Sequence, residues 1–542
     1  MAAKKAVKNQ APKLRFTVNH ALADLYVVLL FTLFPLYLSE FYSAARRDKF
    51  WVFVILSAVM GIAVAAVTLT TYLSRNNAYN RKLNTYHDPL KFNVTDYAFG
   101  AFVAISIIST FASGNIAHCF MGLSGTKSNG RNMGLLMILM MFVCYAVISR
   151  YFFNKKFVFY AIFLGITVVS FVAIVNYYYW DILNIFSHYK SNKNVQQNFT
   201  STIGNKNYLS ALICVALPFS VGMAISSKDL AMRIVAYVST GIQFMGLLVA
   251  TSDGGFLGCF AAIAAILVIS SRELKKLMRF FLCLAIMMFS SKILWLAEII
   301  TKNGSKGYTS FSDFFVNNHI VFAIGAVSLA VFAGLYLLGR MRSGFEIPKY
   351  VFYICLGLVC LAVLVFAALF VYYTFIDTKS KLTGMKRFFR FDERWGTHRG
   401  YFWIKSFEVF GEMSFAEKLI GAGPETFYFK FIPYFSEMNK LFAESSTNSA
   451  HNVYVNYLIT HGILGLGAYL ALIGSALYNA FRRAKENPLS FVCAGVILAY
   501  AVQDIVNIAN PVNTPWLIAF IALSEATALR ANSPHELAEN RF

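Results

Sequence analysis

Apolar residues recur in long runs along most of the chain, separated by shorter polar stretches. A helix of roughly 20 apolar residues matches the hydrocarbon thickness of a bilayer. No water is present there to satisfy the backbone, so each run reads as a helix. No strand-like alternation of the kind a β-barrel needs is visible. The pattern predicts about fourteen spans, near 21–41, 50–73, 96–113, 133–150, 157–178, 208–226, 231–251, 255–270, 277–299, 320–339, 351–374, 452–479, 489–508 and 513–530. The expected fold class is an all-α, polytopic integral membrane protein, with 1–542 forming a single membrane domain. The longest polar stretch, 375–450, separates two of the spans. A structureless loop of that length is uncommon in a compact fold. The apolar spacing at 399–413 and 415–431 predicts short helices lying on the outer membrane surface.

Composition strengthens this picture. The chain is 58% hydrophobic and only 14% charged, whereas a soluble domain carries about 25% charge. The net charge of +22 is the excess that cytoplasmic loops of a multi-pass protein collect, so no nucleic-acid partner is needed to explain it. The N-terminus, with Lys4, Lys5, Lys8, Lys13 and Arg15, runs into a full-length span, so no cleavable signal peptide is expected.

Lysine and arginine also set the orientation. With both termini cytoplasmic, the inner loops carry Arg75, Arg81, Lys82 and Lys91, then Arg150, Lys155 and Lys156, then Lys228 and Arg233. Further inner cations are Arg272, Lys275, Lys276, Arg279, Arg340, Arg342, Lys349, Arg482, Arg483 and Lys485. Arg46, Arg47 and Lys49 break this pattern. The eight cysteines form no Cys-x-x-Cys pair, and all are expected to be structural.

On this orientation the outer face holds 114–132, 179–207, the turn 251–255, 300–319 and the loop 375–450. That loop opens with Lys379, Lys381, Lys386, Arg387, Arg390, Arg394, His398 and Arg399. A basic cluster on the outer side suits an anionic ligand, for which arginine forks fit phosphate, or attraction to anionic headgroups. For Arg394 and Arg399, just before the amphipathic stretch 400–410, the ligand reading is favoured. His451 and Asn452 stand where the loop re-enters the membrane. A histidine there can accept a hydroxyl proton near neutral pH, or simply be a satisfied interfacial residue.

His461 is placed too far round the helix to pair with His451 on a metal, and no metal-binding motif occurs, so no protein-bound metal or cofactor is expected. Gly421-Ala-Gly423-Pro-Glu-Thr-Phe427 is a turn whose backbone N–H groups could meet a phosphate or simply reverse the chain. Gly462, Gly465 and Gly467 read as helix packing. Intramembrane polar residues default to functional candidates. Here they include Asp24, Lys292, and a group of Gln503, Asp504, Asn507 and Asn510 near the outer end of its span. Arg131 adds another outward cation.

The order of these landmarks resembles the O-antigen ligase and polymerase superfamily of bacterial membrane glycosyltransferases. Gly204-Asn205-Lys-Asn207-Tyr208, with Leu217-Pro218, looks like that family's Gly-Asn-x-Asn entry to a span. Arg399 with Trp403, then Gly421-Ala-Gly423-Pro, looks like its outer loop. His451-Asn452 followed by Gly462-Ile-Leu-Gly465 looks like its signature, and Arg131-x-x-Gly134-Leu-Leu also fits. The landmarks cover roughly 115–515, with a ligase-like catalytic region at 204–515 and the extracytoplasmic catalytic loop at 375–450.

The resemblance implies transfer of a glycan from undecaprenyl diphosphate to an acceptor hydroxyl outside the bacterial cytoplasmic (inner) membrane. Inversion, and independence from ATP and metal, would follow the ligase pattern. Arginines would hold the diphosphate, and His451 would act on the acceptor. The acceptor is a second glycan for a polymerase, and a lipid, protein or wall component for a ligase. The family often places Ser-Arg-Gly after the seventh span, where this chain has Ser252-Asp253-Gly254. Either Arg394, Arg131 or Arg390 would then supply the second positive charge, or Asp253 would have another role, such as binding the acceptor sugar or a cation. The competing function is a flippase for lipid-linked saccharides. Transporters place broken helices and their sites at mid-membrane, whereas the chemistry-bearing residues here gather in one outer loop.

Overall fold

The computed structural model describes residues 17–73, 92–122, 124–125, 128–186, 193–301 and 305–530. Arg75, Arg81, Lys82, Lys91 and the N-terminal cations fall outside them. The chain begins with α1 (Val18–Phe31), α2 (Phe41–Leu73), α3 (Val94–Ala112), α4 (Leu135–Tyr151) and α5 (Lys156–Tyr177). It continues with α6 (Lys206–Ser226), α7 (Leu230–Val249), α8 (Gly254–Ser270), α9 (Leu274–Ile300) and the short α10 (Ser310–Asn317). Then come α11 (Ile320–Met341), α12 (Lys349–Val371), α13 (Trp395–Glu412), α14 (Phe415–Ile420), α15 (Phe427–Phe431) and α16 (Phe435–Phe442). The last helices are α17 (Val453–Arg483), α18 (Pro488–Gln503) and α19 (Thr514–Arg530). Strand pairing among the described residues is limited to two short ladders, Ser124–Gly125 with Ser128–Asn129 and Phe199–Thr200 with Gly204–Asn205.

Each predicted span coincides with a helix, so the chain is an all-α, multi-pass membrane protein. The count of fourteen full crossings is not reached. Among the described residues, ten helices are long and apolar enough to cross a bilayer, with α1 extended by the turn Leu33–Leu36. The helices α4, α8 and α18 are apolar but shorter, at 17, 17 and 16 residues, and α19 has 17.

The centre of the bundle is α6, which is buried at every residue from Leu209 to Ser226. A helix that is apolar all round has no face to offer solvent and sits in the core. It packs against α7, α8 and α18. Small residues allow the close approach: a Cβ on Gly258 of α8 would lie 2.2 Å from the Ala499 carbonyl oxygen and 2.5 Å from Cys214 Sγ. By contrast α12 has no buried residue, and α11 is mostly exposed. The eight cysteines are unpaired.

Several intramembrane polar residues satisfy helix ends. Lys292 donates to the carbonyls of Val316 (2.7 Å) and Asn318 (2.8 Å), closing the C-terminus of α10. Asp24 accepts from the Phe153 amide at 2.9 Å. Lys49 turns inward and donates to the carbonyls of Pro35 and Tyr37, while Arg47 pairs with Glu40. The apparent breach of the charge rule is therefore in part a structural lysine. Between α12 and α17 the polar segment folds into α13–α16. It shares a small core with the start of α17, made of Tyr401, Phe402, Phe427, Phe431, Met438 and Ile459.

Candidate functional site

The site is built on backbone that ordinary residues rarely adopt. Positive φ occurs at Asn132 (64°), Thr251 (51°), Thr397 (61°), His398 (67°), Glu425 (64°) and His451 (52°). Each is one of the candidate residues discussed below or lies within two positions of one. Such conformations cost of order 1–3 kcal/mol each and persist where the surroundings enforce them, commonly at functional sites.

α13 supplies the first cation. Its first turn is interrupted by left-handed residues 396–398, after which the helix runs regularly from Arg399. Two indoles anchor it: Trp395 Nε1 donates to the Phe388 carbonyl and Trp403 Nε1 to the Ala450 carbonyl, both at 3.0 Å. The second bond pins α13 to the residue before His451. There the His451 amide donates to Ser449 Oγ at 3.0 Å, and its imidazole stacks on Phe402. Asn452 is the N-cap of α17, accepting from the Val455 amide at 3.1 Å. The main chain of Asp504, at the end of α18, receives the Val453 amide at 2.9 Å.

A second cation arrives from the other side. Arg131, 2% exposed, precedes α4 and pairs with buried Glu425 at 3.5 Å. The same carboxylate accepts the Arg131 amide, and the Glu425 carbonyl contacts His118 Nε2 at 3.1 Å. Among the described residues, Arg131 Nε and Nη1 and Arg399 Nε are buried with no partner. Buried donors are nearly always paired, so these three N–H groups mark a place for an acceptor. Burial, then repulsion from Arg399 and Arg131, pushes His451 down to about 3. It is therefore neutral near pH 7. Arg399 is itself lowered to about 10 by burial, opposed by Asp253. Burial raises the Asp253 carboxyl, against the pull of Thr309, Phe311 and Arg399. Asp253 is thus the near counter-charge to Arg399. Its turn is held by Ser252 Oγ donating to Asn207 Oδ1 at 2.7 Å. This makes Asn207 a brace for the turn.

Other expected residues lie apart from this group. Arg390 directs its guanidinium to the carbonyls of Tyr373 (3.0 Å), Ser380 (2.8 Å) and Asp377 (2.6 Å), closing the end of α12. Arg394 is exposed. The amides of the glycine turn do not face an open site: Gly421 donates to Glu417, Ala422 to Ile459 and Gly423 to Thr460. The turn is laid against a break in α17 at Gly462 (φ 68°, ψ −172°). A Cβ on Gly421 would lie 2.3 Å from the Thr460 carbonyl oxygen, and one on Gly462 2.4 Å from that of Leu419. Gly462 is therefore a bend, Gly465 packs against His461 and Ile105, and Gly467 faces open space. The Asp504 carboxylate accepts from the Tyr469 hydroxyl at 2.7 Å, inside the bundle. Glu425 was the residue that sequence reasoning missed. Its one signal was a lone acid following Gly-Ala-Gly-Pro in a motif already singled out.

Among the described residues no three His, Cys, Asp or Glu side chains converge on a point that could hold a metal. No curated protein matches the chain. Residues 320–470 match the family model described as O-Antigen ligase. The match contains Arg390, Arg394, Arg399, Gly421, Gly423, His451 and Asn452, and it ends before Asp504. That family implies glycan transfer of the ligase or polymerase type in surface polysaccharide assembly. Over residues 320–470 the chain is thus similar to the O-antigen ligase family, which supports the resemblance to the O-antigen ligase and polymerase superfamily.

Proposed function

We propose that the protein moves a glycan from undecaprenyl diphosphate onto an acceptor hydroxyl, at the outer surface of the bacterial cytoplasmic membrane. The observation that carries this reading is a neutral histidine acted on by the charges of Arg399 and Arg131, whose buried guanidinium N–H groups have no acceptor among the described residues. Arg399 and Arg131 hold the diphosphate, and Arg131 is the second cation that Ser252-Asp253-Gly254 fails to provide. As the anomeric C–O bond breaks, charge develops on the departing diphosphate. Donors already aimed at that charge lower the barrier without reorganising. His451 takes the proton of the acceptor hydroxyl as its oxygen attacks from the opposite face, giving inversion. Glu425 fixes the Arg131 guanidinium, and Asp253 is the nearby counter-charge to Arg399. The reaction then needs no ATP and no metal.

A transporter reading would put the working groups at mid-membrane. Lys292 and the Asp504 carboxylate are instead engaged with a helix end and a tyrosine hydroxyl, so transfer at the outer loop is favoured.

The purified protein with a lipid-linked repeat unit tests this directly. Successive additions identify a polymerase, and a single transfer to a foreign acceptor identifies a ligase. His451→Ala and Arg399→Ala should each lower transfer by about 10²–10⁴-fold, with the protein still inserted and eluting as wild type. Full polysaccharide assembly in cells carrying either variant would overturn the mechanism.

A further inference from the structure

A groove of about 1440 Å³ runs between α8 and α12, floored by α18 and the end of α17. It lies on the membrane-facing side of the bundle and is separate from the site above. One wall is a single face of α8, with Leu257, Ala261, Ala264 and Val268 at helical spacing. The other is one face of α12, with Phe352, Leu356, Val363 and Phe366. Alanines on the α8 wall keep the groove deep. α12 touches α8 over part of its length but buries no residue against the bundle, so the groove stays open along the rest.

One end of the groove is charged. Arg272 follows α8, Lys349 begins α12, and Arg482 and Lys485 end α17, so three separate segments bring cations to one mouth. The acid among the lining residues, Glu273, is paired with Lys276 at 2.8 Å. Among the described residues, Arg272, Lys349, Arg482 and Lys485 have no carboxylate partner within ion-pair distance. Arg272 reaches across the mouth, its guanidinium 4.0 Å from the centre of the Phe352 ring. The positive-inside bias accounts for cations in these loops, but not for their convergence on the end of an apolar groove.

We propose that this groove is a binding site for an anionic glycerophospholipid of the leaflet opposite the catalytic site, with its acyl chains between α8 and α12 and its phosphate among Arg272, Lys349, Arg482 and Lys485. Basic pockets between membrane helices capture such headgroups, and arginine forks suit phosphate oxygens. A polyprenyl chain entering from the catalytic end would fill the apolar walls and leave these cations without a counter-charge. The inference stands whether or not the catalytic reading holds.

The full-length protein, equilibrated in nanodiscs of mixed phosphatidylglycerol and phosphatidylcholine and then repurified in detergent, should retain phosphatidylglycerol preferentially when lipids are counted by mass spectrometry. Arg272→Gln should lower that preference about fivefold, and Arg272→Gln combined with Arg482→Gln further, at about fivefold per cation. Arg272→Lys should largely restore it. Ala264→Trp leaves every charge in place but fills the groove, and it should lose the retained lipid. Equal retention of both lipids by the wild type would overturn the proposal. So would wild-type retention in both Arg272→Gln and Ala264→Trp, or displacement of the lipid by undecaprenyl phosphate.

Discussion

His451 held at about 3 is a feeble base. Its weakness has a specific cause in burial beside two guanidiniums, and the repulsive part is removed when an anion sits between them. Donor binding should therefore raise its basicity. The acid limb of kcat, which reports the donor complex, should lie at higher pH than the acid limb of kcat/KM, which reports the free protein. Coincident limbs would remove this coupling. The free protein carries a matching stability signature. Below the ordinary histidine value of about 6.5 the unfolded chain takes up the proton first. The contribution of His451 is therefore complete above that value and is lost as pH falls toward about 3. Residue types and order single out Arg399 and His451 as candidates in the sequence. They could not rank Arg131 above Arg390, because the first is brought in from a distant segment and the second is consumed by three carbonyls.

Among the elements, α17 and the turn at 421–423 behave as one piece. The bend at Gly462 exposes the carbonyls of Ile459 and Thr460, and the turn's amides occupy them. Gly462→Ala places a Cβ against Leu419 in a conformation that only glycine adopts readily. It should destabilise the protein by more than about 1–3 kcal/mol and abolish transfer, as followed by thermal unfolding and by the transfer assay. Gly467→Ala, with open space around it, is the control and should remain near wild type. Gly462-Ile-Leu-Gly465-Leu-Gly467 reads as a packing stripe from sequence because spacing alone cannot tell a bent backbone from a close one. The spans themselves were legible because in lipid an apolar run has one solution. Their capacity to cross was less so, since apolar character extends over helices too short to do it alone.

For the whole molecule, orientation follows from where the cations fall. In a cysteine-free background, Lys379→Cys should react with an impermeant maleimide added outside the cytoplasmic membrane, and Ser343→Cys only after permeabilisation. Both positions are exposed. The reverse pattern would invert the topology and place the site inside. The short helices carry a further consequence. Arg131 lies just before α4 and Asp253 just before α8, so the second cation and the counter-charge of the site stand at the ends of helices of 17 residues. At about 1.5 Å per residue these fall several ångströms short of a hydrocarbon layer of about 30 Å. Where α8 keeps residues exposed and α4 keeps residues half-buried, a shortfall of this kind is met by local thinning of the lipid. On the proposed function, the membrane surface would dip like a shallow well toward the two arginines, and a lipid carrier would present its phosphates there without its chain being lifted out of the oil. Transfer should accordingly run faster in short-chain than in long-chain phosphatidylcholine bilayers.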